Sequence, residues 1–145
     1  MEDVHNLGRF LNAQAGVYES AVAELSAGEK RSHWMWFIFP QIAGLGHSTM
    51  AQKYAIGSIA EARDFAEHPV LGPRLRQCTQ LVLDIEGRGV EEIFGYPDDL
   101  KFRSSMTLFM TTASEPGIFK SAIDKYLAGK PDQRTLDILA QLPSS

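Results

Sequence analysis

The stretch from residue 71 to residue 85 constrains the fold of this chain more than any other. Its apolar residues recur at spacings of four and three, which places them on one face of an α-helix: Leu71, Leu75, Cys78, Val82 and Ile85. Pro73 is tolerated in the first turn of such a helix, and Gly87 is suited to follow its end. We therefore expect a core built from packed amphipathic helices.

Similar apolar periodicity predicts helices in five other segments: 17–27, 58–68, 98–113, 117–128 and 132–142. We also expect a short helical stretch at 49–54, after the loop 44–48. Ser58, with Glu61 three residues later, forms a capping-box pattern, and Pro69 ends that helix. Together with an aromatic segment described next, these predict an all-α fold. We expect residues 1–145 to form a compact single-domain bundle of about seven to eight short helices.

Residues 32–39 are dominated by aromatic side chains, which taken alone suit a buried strand. We favour a short helix capped by Ser32 and broken at Pro40, because no partner strand is evident nearby. Trp34 and Ile38 would then share one face of the helix. Aromatic residues at helical spacing usually fill a core, with their polar N–H groups hydrogen-bonded.

Charge excludes one class of function. The chain has 14 Lys and Arg against 18 Asp and Glu, a net charge of −4. Broad binding to nucleic acid normally needs a basic surface that displaces counterions from phosphates, so we do not expect it. The histidines are scattered and Cys78 is the only cysteine, so we expect no metal site and no intrachain disulfide. We also expect no cofactor.

The segment 1–5 is acidic and lacks the basic and apolar regions of a secretion signal. The longest apolar run, 34–39, has six residues and is too short to span a bilayer. We expect a cytoplasmic protein that does not act in a membrane.

The first candidate site is the segment 31–41. Besides the core interpretation, one tryptophan, Trp34 or Trp36, could form the wall of a pocket and stack against a flat ring. His33 and Gln41 would be the polar groups at the mouth of this pocket. The loop 44–48 contains two glycines but matches neither the P-loop motif nor the dinucleotide-binding fingerprint. We interpret it instead as a mobile lip over this pocket.

The second candidate site is the segment 95–107. Lys101, Arg103, Ser104 and Ser105 offer cations and hydroxyl donors suited to a phosphate or a carboxylate. The alternative is a surface ion pair between Asp99 and Arg103, which are one helical turn apart; such a pair contributes about 0.3–0.5 kcal/mol and implies no function.

Several segments together resemble a bacterial family of unknown function whose members are sometimes labelled "calpastatin". They are NLGRF (6–10), AQ (13–14), Tyr18, KRSHWMWFIFPQ (30–41), MAQKYAI (50–56), HPVLGPRL (68–75) and KFRSSMTLF (101–109). The resemblance covers nearly the whole chain. It implies a single all-α domain and brings no established reaction.

That family is distantly similar to the YbiA/NADAR group, helical proteins implicated in cleaving N-glycosidic bonds of ADP-ribosyl groups and ribosylamine intermediates. Residues 51–54, AQKY, resemble the group's Ala-Gln-Lys-aromatic helix, which implies a role for Lys53. The Ser-Glu-His that precedes this helix in the group is not matched by residues 47–50. The resemblance implies a YbiA-like fold and N-glycosidase-like chemistry, for which Asp98 or Asp99 is the nearest general acid or base.

Two hypotheses of different classes follow. In the first, the protein binds a nucleotide or phosphoribosyl compound in a pocket between the aromatic segment and the 98–107 helix. Trp34 or Trp36 would stack the base, while Lys53, Lys101 and Arg103 would meet phosphate or ribose oxygens. In the second, the chain is a non-catalytic interaction or structural protein, for example a homodimer, and the aromatics build only a core or an interface.

Overall fold

The structure, a computed structural model, describes residues 3–143. This part of the chain contains ten α-helices joined by loops. They are α1 (Gly8–Gln14), α2 (Tyr18–Ser26), α3 (Met35–Ile38), α4 (Thr49–Lys53), α5 (Ile59–Glu67), α6 (Leu71–Leu83), α7 (Val90–Phe94), α8 (Asp98–Thr112), α9 (Gly117–Tyr126) and α10 (Gln133–Gln141). Outside the helices, Ile42 and Ile56 form an isolated parallel bridge. The all-α prediction is confirmed. Positions 1, 2, 144 and 145 lie outside the described residues, so the 1–5 segment is described only in part.

The structure has more helices than the sequence predicted, because α1 and α7 were not expected. Helix α1 buries only Phe10 and Gln14, and α7 has five residues, of which Ile93 and Phe94 are buried. Segments this short do not repeat an apolar pattern often enough to be recognised. Their stability comes from packing and from tertiary contacts.

The helix ends show which local signals were correct. The Ser58 hydroxyl accepts the Glu61 N–H at 3.0 Å, as the capping pattern predicted. The Glu61 carboxylate, however, accepts the N–H of Gly57 at 3.0 Å rather than that of Ser58. The prediction that Ser32 caps the aromatic helix is wrong, because α3 begins at Met35 and Ser32 instead bonds to a side chain of α2.

Helix α8 lies at the centre of the packing and contacts α3, α5, α7, α9 and α10. Two groups of aromatic rings pack along it and join one contiguous core: Phe39, Phe94 and Phe102 near its N-terminus, and Phe10, Phe65, Phe109 and Phe119 farther along. The start of α8 is thereby held against α3 and α7. Across residues 3–143, no helix is both long enough and apolar enough to cross a bilayer.

Candidate functional site

Asp98, the first residue of α8, is held between two lysines. Lys30 Nζ lies 2.7 Å from Asp98 Oδ2, and Lys101 Nζ lies 3.0 Å from Oδ1. The Lys30 side chain is 8% exposed and the Lys101 side chain 21%, so Lys101 is the lysine that is more open to solvent. These three residues, called the Lys–Asp–Lys cluster below, carry one net positive charge.

The two lysines keep Asp98 ionised. Partial burial by itself raises the pKa of Asp98, but the hydrogen bonds and charges of Lys30 and Lys101 outweigh burial and hold that pKa below its usual range. An ionised carboxylate can stabilise a developing positive charge or accept a proton. At neutral pH it cannot act as the proton donor.

Both tryptophans lie beside this cluster but in different environments. Lys101 Nζ is 4.2 Å from the centroid of the Trp36 ring, and Lys30 Nζ is 5.3 Å from that of Trp34. These are cation–π distances. Trp34 is completely buried, whereas Trp36 is half-buried. Trp36 is therefore the tryptophan that a ligand can reach.

Glu24, on α2, fixes the loop that carries Lys30 and Trp34. Its carboxylate accepts the N–H of Arg31 at 2.6 Å, the Ser32 hydroxyl at 2.5 Å and Trp34 Nε1–H at 3.0 Å. Partial burial raises the pKa of Glu24, but these hydrogen bonds, led by that of Ser32, lower it to about 2. The loop is thus anchored to α2 by an acceptor that is charged at neutral pH.

Three of the predicted ligand-binding residues face other parts of the molecule. Arg103 donates to the carbonyls of Lys130 and Pro131 at 3.1 and 3.4 Å. Ser104 Oγ lies 3.0 Å from Thr135 Oγ1, and both groups are buried. Ser105 Oγ is buried without a hydrogen-bond partner in the described part of the chain. Arg103 and Ser104 thus connect α8 to the region around α10.

Four more predicted residues are not members of the Lys–Asp–Lys cluster: His33, Gln41, Lys53 and Asp99. Asp99 is 7% exposed and accepts the N–H of Leu100 at 2.9 Å, within the first turn of α8. Lys53 is exposed at the end of α4, with Nζ 5.4 Å from the Tyr54 ring. His33 is exposed and Gln41 half-buried. Among residues 3–143, no hydrogen bond or ion pair joins any of these four to the cluster.

The sequence therefore identified Trp36, Asp98 and Lys101 as candidates, and the structure brings them together. It missed Lys30 and Glu24 as members or supports of the same site. Neither belongs to a spacing motif, since a single lysine before an aromatic run and a single glutamate on a helix are common. Only their distances in the fold reveal them.

Two cavities lie elsewhere. One, of about 380 Å³, is near the ends of α2 and α6 and is lined in part by Gly28, Asp84 and Arg88. The other, of about 560 Å³, lies between the N-terminal segment and the junction of α5 with α6. No predicted site residue lines either cavity. Within the described chain, no group of three or more His, Cys, Asp or Glu is placed to hold a metal ion.

The fold and the site define a small all-helical protein with a cationic, aromatic cluster where α3 meets α8. The chain belongs to the family described as "Protein of unknown function (DUF1810)", whose model matches residues 4–139. It is similar to the conserved hypothetical protein Rv1873 from Mycobacterium tuberculosis, known from a crystal structure. The TM-score is 0.94 at 52% sequence identity, over 95% of this chain and 99% of that chain. A search among curated proteins finds no match.

Proposed function

We propose that the protein binds a nucleotide or a phosphoribosyl compound at Trp36 and the Lys–Asp–Lys cluster. One observation carries the proposal: Lys101 Nζ lies 4.2 Å from the half-buried Trp36 ring while it shares Asp98 with Lys30. An accessible aromatic face next to an ammonium suits a ligand that has a flat ring and a negative group. Stacking of a base on an aromatic side chain contributes about 1–3 kcal/mol.

Lys101 is the member of the cluster that can turn to a ligand. Lysine has a flexible stem, and of the two lysines Lys101 is the more exposed, at 21% against 8% for Lys30. A base that stacks on Trp36 would take the place of the ammonium over the ring. The ammonium would then meet the ligand's phosphate, while the more buried Lys30 continues to neutralise Asp98.

The residues proposed to bind the ligand are therefore Trp36 and Lys101, with Asp98 positioning the lysine. His33, exposed next to Trp34, is proposed as a polar group at the edge of the site. The hydrogen bonds of Arg103 and Ser104 to other parts of the same chain give them structural roles instead. We place the protein in the cytoplasm, in keeping with its one, unpaired cysteine, Cys78.

The reaction to assay at this site is cleavage of an N-glycosidic bond, which follows from the likeness of residues 51–54 to the YbiA/NADAR group. Because Asp98 is ionised, its role in this reaction would be that of a general base that takes a proton from the attacking water. Lys53 is the residue carried over from that group; its side chain is exposed at the end of α4, outside the Lys–Asp–Lys cluster.

The experiment is a thermal-shift and fluorescence titration with ADP-ribose, AMP and ribose 5-phosphate. At a hundred times its dissociation constant, a ligand adds about 2.7 kcal/mol to the free energy of unfolding. For a domain of this size, this raises the melting temperature by about 5–10 °C. ADP-ribose and AMP should also quench the fluorescence of Trp36 but not that of the buried Trp34.

Two variants and a matched control give the test its specificity. Trp36→Leu and Lys101→Ala should each abolish the shift. Lys120→Ala should leave it unchanged, because Lys120 makes a comparable helical ion pair with Asp124, at 2.9 Å, on α9. No shift with any of the three ligands, or equal loss of binding in all three variants, would contradict the proposal.

The second candidate function is a non-catalytic interaction protein, for example a homodimer. It is favoured by two apolar side chains exposed at the start of α8: Tyr96 is 80% exposed and Leu100 48%. Sedimentation analysis of the wild type and of Leu100→Glu tests it. A dimer that this substitution dissociates, together with an absent nucleotide shift, would favour this function over ligand binding.

A further inference from the structure

The cavity of about 560 Å³ beside the N-terminal segment has the size of a small-molecule site. Its apolar walls are Val4, Leu7, Leu11 and Pro69. Val4, an apolar residue of the cavity lining, is 72% exposed to solvent. A concave surface of this size with apolar walls and a few polar groups is typical of a small-molecule site.

Two histidines on the cavity wall are fixed by hydrogen bonds. His5 Nε2 lies 3.0 Å from Asp64 Oδ2, so Nε2 carries the proton of the neutral ring and Nδ1 is left as an acceptor. His68 Nδ1 accepts the N–H groups of Val70 and Leu71 at 3.1 and 3.2 Å, which places its proton on Nε2. Both rings are therefore oriented before any ligand arrives, which lowers the entropic cost of binding.

The charges of the lining are all negative while the histidines are neutral. Asp3, Asp64 and Glu67 contribute carboxylates, and none of the lining residues is a lysine or an arginine. Asp3 accepts the N–H groups of Leu7 and Gly8, each at 2.7 Å, and these hydrogen bonds hold its pKa below the usual value.

Asp64 and Glu67 are the carboxylates best placed to contact a ligand. They are three residues apart on α5, so they lie on the same face of that helix. Asp64 is paired with His5 alone, and Glu67 is exposed and makes no ion pair within residues 3–143.

We infer that this cavity binds an organic cation: a primary ammonium group on a short hydrocarbon chain. The ammonium would lie between Asp64 and Glu67, with His5 Nδ1 as an additional acceptor. The hydrocarbon would pack on Leu7, Leu11 and Pro69. This inference does not depend on the function proposed for the Lys–Asp–Lys cluster, which is built from other residues.

Isothermal titration with three six-carbon probes tests the inference. Hexylammonium should bind saturably, hexanol more weakly, and hexanoate not at all, because these probes share their hydrocarbon and differ in charge. Shortening the chain from hexyl to butyl should weaken binding about two- to fourfold for each methylene removed. In NMR spectra, hexylammonium should shift the imidazole signals of His5 and His68.

Substitutions locate the site. Asp64→Asn and Glu67→Gln should each weaken hexylammonium binding about three- to tenfold. Glu115→Gln is the matched control, since Glu115 is exposed and its side chain makes no hydrogen bond or ion pair in the described chain. Equal binding of hexylammonium and hexanoate, no dependence on chain length, or unchanged affinity in Asp64→Asn and Glu67→Gln would each overturn the inference.

Discussion

The guanidinium group of Arg9 lies 2.7 Å from Glu61 Oε2, and the two side chains are only 13% and 9% exposed. Arg9 also donates to four backbone carbonyls, those of His5, Asn6, Lys53 and Ala55. One side chain on α1 therefore ties together the N-terminal segment, the end of α4 and the start of α5. Loss of either partner leaves a charge without compensation in a largely enclosed position.

Arg9→Ala should lower the free energy of unfolding by about 3–5 kcal/mol, because breaking a buried pair strands the remaining charge. Urea unfolding measures the change. The control is Arg31→Ala, whose pair with Glu29 at 3.3 Å is on the surface, with 72% of the Arg31 side chain exposed. We expect that control to change stability by less than about 0.5 kcal/mol. Similar losses in both variants would mean that Arg9 has no special role.

The carboxylate of Glu24 makes stability depend on pH. Its pKa is about 2 in the folded protein against an ordinary value of 4.5, so its contribution is complete above pH 4.5 and is lost as the pH falls towards 2. Glu24→Gln should be less stable than the wild type by about 1–2 kcal/mol at neutral pH, since three partners lose a charged acceptor.

The difference in the free energy of unfolding between Glu24→Gln and the wild type should shrink as the pH falls from 4.5 towards 2. Urea unfolding at several pH values gives the curve for each protein. Glu19→Gln, an exposed carboxylate on the same helix, should differ from the wild type by less than about 0.5 kcal/mol throughout. A pH-independent difference for Glu24→Gln would show that the Glu24 charge does not stabilise the fold.

Much of the fold was predictable because long helices repeat their pattern. Four members of the predicted α6 stripe are buried: Leu71, Leu75, Cys78 and Val82. The fifth, Ile85, lies beyond the end of α6 at Leu83 and is only half-buried. The shorter helices α1 and α7 were not predicted, since five to seven residues give about two turns or fewer. Arg9, which holds α1 in place, makes contacts up to 52 residues away, and such partners are not visible in local sequence.

The candidate site was less predictable than the fold. A run of polar residues on α8 suggested one binding surface, but successive residues of a helix point in different directions. Lys101 consequently contacts Trp36, whereas Arg103, two positions later, contacts the carbonyls of Lys130 and Pro131. The spacing alone indicated which residue types were available. It could not indicate which neighbours they would meet.

Arg103→Ala distinguishes the structural role of this residue from the ligand-binding role that the sequence suggested. The structure predicts a loss of about 1–3 kcal/mol in the free energy of unfolding, because two hydrogen bonds from a charged donor disappear. A ligand-binding role predicts the opposite pattern, with binding abolished and stability nearly unchanged. Urea unfolding of Arg103→Ala decides between them, with Arg134→Ala, which removes an exposed arginine of α10, as the control.

The approach of α5 to α6 depends on Gly72. A Cβ atom at this position would lie 2.3 Å from the carbonyl oxygen of Ala66, and that oxygen belongs to the backbone and cannot swing aside. Gly72→Ala should therefore force the two helices apart and cost about 1–3 kcal/mol or more. Gly117→Ala is the matched control, because a Cβ there meets no atom within 4 Å. It should be neutral or stabilise the protein by up to about 1 kcal/mol, since alanine restricts the unfolded chain. Urea unfolding of the two variants measures both effects, and equal stability would show that the helices tolerate a wider separation than their geometry indicates.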